Sequence, residues 1–261
     1  MGLLDNWRAW PRAGMGLIHI HGVDTTAFLQ GQLSNDMTLL ATDQPLLAGY
    51  HNPQGRTIAL LWLLQRTPDD VLALLPVELA APVAARLSRF VLRSKVKVSA
   101  EPATGPTAAA ILPPTEPATD NDWRLGSIAA GLPQVYPATS ESFVAQMLNL
   151  DLTGGISFEK GCYTGQEVIA RAHYRGRVKR RMQRFLTDSP AALAPGDSGL
   201  LADGRAFKVV EAAQHADGRC EFLAVAPLAG TPAEPDADTT PAPAQTPLAA
   251  QTLPLPYALP D

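Results

Sequence analysis

Lys160-Gly161-Cys162-Tyr163-Thr164-Gly165-Gln166-Glu167-Val168-Ile169-Ala170-Arg171 is the stretch on which the reading of this chain turns. Two glycines bracket a cysteine and an aromatic residue. Thr164 and Glu167 stand in the Thr-x-x-Glu relation of a capping box, in which hydroxyl and carboxylate each accept from an orphan backbone N–H. The spacing predicts Thr164 as N-cap of a short helix from Gly165 to about Ala172. Cys162 then lies just ahead of a helix N-terminus, where the dipole favours negative charge. Lys160, Arg171 and Arg175 add cations, and such surroundings favour a reactive thiol. The plainer reading is a cysteine packed as a small apolar residue.

Outward from this stretch, the chain of 261 residues is long enough for two or three modest domains with a real core. Hydrophobic residues make up 46% and charged residues 18%, a globular balance. A net charge of −4 excludes a protein whose whole surface binds nucleic acid. The cations are uneven, however. Arg171, Arg175, Arg177, Lys179, Arg180, Arg181 and Arg184 hold seven of the 21 Lys and Arg, which implies a local anion site. Cys162 and Cys220 are too few for a disulfide framework, and a reducing compartment fits them. Pro76, Glu78 and Pro82 interrupt the most apolar window, so no run approaches the roughly 18 residues that span a bilayer. The N-terminus, with Asp5 and Pro11, lacks an apolar signal core. A soluble, cytoplasmic protein with no membrane partner is expected.

Taken in order, Leu17 to Ile20 reads as a strand, and Asp24 as N-cap of a helix carrying Phe28, Leu29 and Leu33. Gly31-Gln32-Leu33-Ser34-Asn35-Asp36 is either the capped end of that helix or a ligand-facing loop. Strands are expected at Leu46–His51, Thr57–Leu64, Val71–Leu75 and Lys95–Val98, with a turn at Asn52–Gly55. A helix is predicted from Pro82 to Val91, with Val83, Leu87, Phe90 and Val91 inward. Prolines and threonines from Glu101 to Asp120 mark a crossing loop around a short strand, Ala108–Leu112. Asp122 is placed to cap a helix ending at Gly131, and Ile156–Phe158 reads as a short strand delivering the cysteine loop. Beyond Gly176, strands are expected at Val178–Leu186, Gly199–Ala202, Arg205–Ala213 and Arg219–Val225. Asp203-Gly204 and Asp217-Gly218 supply hairpin turns, and the pattern suggests a small antiparallel barrel. Cys220 shares an apolar strand face and reads as core. Thr231 to Ala250 has the composition of a disordered insert, and Leu253 to Leu259 of a returning strand.

Other constellations are weaker. The run Arg175 to Arg181 is a solvated strand edge or an anion site, and it lacks the interleaved aromatics of a nucleic-acid groove. The five histidines and two cysteines form no metal pattern. A Cys162–His173 pair is conceivable for nucleophilic catalysis.

The cysteine motif, with Ala170-Arg171 and Tyr174-Arg175-Gly176 behind it, resembles the signature of the YgfZ-type folate-binding proteins. Phe28 to Asp36 is similar to that family's N-terminal motif, and Ser94-Lys95-Val96, Ala130-Gly131-Leu132-Pro133 and Gly154 to Phe158 match in order. The resemblance implies an α+β fold, a three-part ring related to the glycine-cleavage aminomethyltransferase (T-protein). It also implies tetrahydrofolate or a derivative in the central hole, and a role in maintaining iron–sulfur enzymes, including tRNA-modifying ones. On this basis residues 1–48 with 104–176 form a folate-binding domain, 49–103 a small α+β domain, and 177–261 a C-terminal β-barrel with the insert at about 231–250. The implied site comprises Cys162 and Lys160 as reactive groups, with Gln32, Asn35, Asp36, Tyr163, Gln166, Glu167, Arg171, Tyr174 and Arg175 around the folate. The expected partners are reduced folate and iron–sulfur client enzymes or assembly proteins, with direct tRNA binding resting on the basic run alone. Where the T-protein carries paired aspartates this chain has Ala59 and Leu60, which argues against inherited aminomethyl transfer. The rival reading is a folate-dependent one-carbon transferase that uses Cys162 instead.

Overall fold

Strand β3, Thr57–Thr67, is buried over its first eight residues and is the centre of the architecture. An apolar run of this kind has no face to give to water and needs cover on both sides. The computed structural model describes residues 14–42, 44–105, 119–176, 178–188, 192–228 and 246–260. Around β3 lie β1 (Met15–His21), β2 (Leu46–His51), β4 (Asp70–Pro76) and β5 (Lys97–Pro102), in the antiparallel order β2-β3-β4-β1-β5. The sheet thus takes strands from both stretches assigned above to separate units, and the boundary at 48/49 falls inside β2.

Helix α1 (Thr25–Gln32) follows β1, and α2 (Val77–Ser88) crosses from β4 to β5. Helix α2 begins five residues before Pro82, not at it. Pro82 removes the donor to the carbonyl of Glu78. Burial of Leu79, Ala80, Val83, Ala84 and Leu87 at helical spacing outweighs that loss. Phe90 and Val91 lie beyond the helix end, and Phe90 is exposed, not inward. Helix α3 (Asp120–Ala129) is capped by Thr119, whose hydroxyl accepts from Asp122 N, so Asp122 sits inside the first turn. Asp24 makes no cap bond and instead accepts from the backbone N of Lys95 at 2.7 Å. Residues Ile156–Phe158 are not a strand. Ser157 N donates to Ser34 O, joining that segment to the end of α1.

A second sheet combines β6 (Arg180–Thr187), β7 (Ser198–Leu200), β8 (Ala206–Gln214), β9 (Cys220–Pro227) and β10 (Gln251–Leu253) in the order β10-β6-β9-β8-β7. The ladder is open, not the closed barrel expected, with a single parallel bridge, Leu201 to Leu248, near its edges. Met182, Leu223 and Val225 join the main core, while Phe185, Phe207 and Phe222 form a second cluster on the other face, where Cys220 is also buried. The strand expected at Leu253–Leu259 is only Gln251–Leu253. Beyond it Tyr257 donates to Gly131 O at 2.7 Å. The predicted strand Ala108–Leu112 and residues 231–245 of the insert lie outside the described residues. The last part of that insert is ordered: Leu248 makes the bridge, and Ala249 O accepts from the Thr187 hydroxyl. No helix among the described residues is long and apolar enough to cross a membrane.

The two sheets meet at the segment that precedes the cysteine. Arg181 on β6 donates bidentately to Asp151 at 2.9 and 2.8 Å, and also to the Gln146 carbonyl and the Asn149 side chain. Both members of this pair are almost fully buried, so the geometry must compensate their desolvation. The cysteine segment is thereby fixed from behind.

Candidate functional site

Helix α1 ends at Gln32, and its final carbonyls lack helical donors. Lys160 supplies them. Its Nζ donates to the carbonyls of Gln30 and Leu33 at 2.6 Å and of Asn35 at 2.8 Å, using all three N–H groups. The ammonium also lies 5.0 Å from the Tyr163 ring centroid. Burial pulls the amine down to about 8, opposed by the charge of Asp36. A lysine so engaged has no free proton to offer a substrate, and Lys160 is an anchor in place of the reactive group expected.

The Gly31–Asp36 cluster is built into the same joint. Ser34 Oγ donates to Gly155 O at 2.7 Å and accepts from Gly49 N, while Asn35 Nδ2 donates to the carbonyls of Leu47 and Gly154. Asp36 accepts from Thr38 N, which holds its carboxyl below the usual range, and from Gln30. Asn35 and Asp36 therefore position backbone. Gln32 differs, because its buried Oε1 has no hydrogen-bond partner.

Helix α4, Gln166–Arg175, begins one residue later than predicted, and no side chain caps it. The Thr164/Glu167 box is not formed. Gly165 occupies the cap position at φ 83°, and a Cβ there would lie 2.5 Å from Asn52 O and 3.1 Å from Gly55 Cα. Seating this loop against the Asn52–Gly55 turn thus sets the backbone and carries Thr164 out of the cap position. Gly165→Ala is expected to cost about 2–4 kcal/mol, combining a left-handed residue with a backbone clash. Urea denaturation checks this, and an unchanged midpoint would show that the turn yields freely.

Cys162 is exposed and makes no hydrogen bond among the described residues. Glu167, Arg171, Tyr174 and Arg175 are also exposed, Gln166 is half-buried, and Ile169 fixes α4 to the core. Neither Arg171 nor Arg175 has an ion-pair partner among the described residues. His173 stacks on Phe158 with centroids 3.8 Å apart and makes no hydrogen bond to Cys162, so the conceivable Cys–His pair is not assembled. No group of three or more His, Cys, Asp or Glu is placed to hold a metal among the described residues. Ala59 and Leu60 are wholly buried in β3.

Sequence reasoning missed His51 and Thr57. His51 ends β2 and is 1% exposed, yet both ring nitrogens lack partners. Gly49 makes room for it, since a Cβ there would fall 2.3 Å from His51 Nε2. Thr57, its register partner on β3, also carries an unpartnered hydroxyl. So does buried Tyr163, whose ring centroid lies 6.4 Å from that of His51. Burial takes His51 down to about 3 and lifts Tyr163 well above the usual phenol range, so both are neutral. The signal available in the sequence was a lone imidazole ending the apolar strand Leu46–His51. Because folded proteins pair nearly all buried polar atoms, a set of this kind is completed by a ligand edge or by water.

Known proteins are similar to this chain in sequence and in fold. A protein of Haemophilus influenzae, itself uncharacterised, is 30% identical over 231 residues, which are 77% of this chain and 82% of its own. The tRNA-modifying protein YgfZ of Escherichia coli O6:K15:H31 is 31% identical over 245 residues, covering 73% of this chain and 72% of that one. The protein of the same name from Escherichia coli K12 (DH10B) is 32% identical over 233 residues, 69% of each chain. Among solved structures, glycine cleavage system aminomethyltransferase T from Bartonella henselae has a TM-score of 0.62 at 16% identity, over 87% of this chain and 82% of that one. No family model matches the chain.

Proposed function

The chain belongs to the YgfZ family, and on that premise we propose that it binds a reduced folate in the cytoplasm and supports assembly or repair of iron–sulfur enzymes, tRNA-modifying ones among them, with Cys162 as its reactive thiol. The observation that carries the folate reading is the set of neutral, buried, unpartnered polar atoms on His51, Thr57 and Tyr163. A pterin ring is uncharged and edged with alternating donors and acceptors, which suits such a set. The carboxylates of its glutamate tail suit Arg171 and Arg175, exposed and without carboxylate partners among the described residues. When bound, tetrahydrofolate supplies a one-carbon carrier and a reductant. Cys162, exposed on a loop anchored at Lys160, offers a soft thiolate ligand to a client's cluster iron.

Calorimetric titration with tetrahydrofolate tests the binding. Saturable heat is expected, with an affinity that weakens as salt rises, because an anionic tail meets exposed cations. No heat with any reduced folate would remove the reading. Cys162→Ser is expected to keep the melting temperature and folate binding but to fail in restoring iron–sulfur enzyme activity to a deletion strain. Full rescue would show that the thiol takes no part. The fold by itself does not favour one-carbon transfer, since Ala59 and Leu60 offer no proton acceptor.

A further inference from the structure

We infer that the loop between α2 and β5 is a binding surface for single-stranded RNA, independent of the folate reading. Arg89, Arg93, Lys95 and Lys97 are exposed within nine residues, and none has a carboxylate partner among the described residues. Seven arginines elsewhere, Arg66, Arg86, Arg124, Arg181, Arg184, Arg205 and Arg219, lie within ion-pair distance of a carboxylate, whereas Arg171 and Arg175 on α4 have no such partner among the described residues. Four cations without ion-pair partners among the described residues, with the Asp24 carboxylate at their edge, make a local positive site on a chain of net charge −4.

Apolar side chains stand between the cations. Phe90 is 46% and Leu92 88% exposed. Leu92 also holds φ at 41°, a left-handed conformation that is strained for a bulky residue. The loop is pinned in this state by bonds from Phe90 N to Leu87 O and from Ser94 N to Val91 O. It also leans on the β1–α1 turn, where Asp24 accepts from Lys95 N and Val23 is 65% exposed. An aromatic interleaved with cations is what the run from Arg175 to Arg181 lacks. Phe90 gives a base its stacking platform, Leu92 adds apolar contact beside it, and the cations follow the phosphates.

Fluorescence anisotropy with a labelled 12-nucleotide single-stranded RNA of mixed sequence, added to the full chain at ~50 mM salt, tests the inference. Saturable binding is expected. Arg89→Gln with Arg93→Gln should weaken it about tenfold and reduce the salt slope by about 1.4, at about 0.7 per lost phosphate contact. Phe90→Ala should weaken it about fivefold or more, while Phe90→Trp retains it. Arg219→Gln, which alters a paired surface arginine, should change nothing. Folate titration of the same variants should be unaltered, which separates this inference from the proposed function. Absence of saturable binding, equal affinity of the loop variants, or loop-dependent binding to phosphatidylcholine–phosphatidylserine vesicles in preference to RNA would overturn it.

Discussion

Lys160→Met is expected to destabilise the protein by about 3–5 kcal/mol, the largest effect of any single substitution near the site. Methionine matches the length and apolar stem of lysine and removes only the donors. The carbonyls of Gln30, Leu33 and Asn35 then lose their partner in a place where Lys160 is 8% exposed. Each buried carbonyl left bare costs about 1–3 kcal/mol, less where water reaches it. Lys160→Arg should fare little better, because a planar fork cannot point three donors at one focus. Urea denaturation gives the number. A reactive lysine predicts the opposite pattern, with unchanged stability and lost function, and that result would return Lys160 to the chemistry.

Acid should weaken the fold by about 2 kcal/mol between pH 7 and pH 5 through His51 alone. The sign follows from burial, which lowers the folded-state value to about 3 from an ordinary 6.5. Between those limits the unfolded chain takes up a proton that the folded chain refuses, so stability falls as pH falls through the window. His51→Leu should flatten the dependence while leaving stability at pH 7 within about 1.5 kcal/mol of the parent. Denaturation midpoints of both proteins at pH 7 and pH 5 make the comparison. A constant difference between the two proteins would mean that the folded imidazole takes up its proton as readily as the unfolded one, against the effect expected of burial.

Local signals were legible where an element decides its own conformation. The Asp-Gly turns flanking β8 and β9, the strand pattern of β6 and the apolar run of β3 placed those strands within about three residues. Long-range contacts overrode local signals elsewhere. Pro82 marks a helix start by its own chemistry, yet five buried residues around it extend the helix in front. Thr164 and Glu167 have capping-box spacing, yet the backbone at Gly165 is set by a turn more than a hundred residues earlier. Cys162 was singled out by its neighbours in sequence, and it lies exposed on its loop. The anchoring role of Lys160 was invisible, because its partners are 125 to 130 residues away. His51 was in plain view, and only its burial without partners gave it meaning.

Those same separations govern how the protein is made. Strand β1 lies between β4 and β5, so it has no sheet neighbour until residues 70–76 have been synthesised. The end of α1 must wait longer, until Lys160 is available to close its carbonyls. Contacts of such sequence separation slow folding, because loop-closure entropy is spent before they reward it. A chain halted before residue 160 can hold most of the first sheet, but its α1 terminus stays open and its thiol does not exist. Cys162 therefore emerges two residues after the lysine that closes α1, and fragments that end before residue 160 carry no thiol at all.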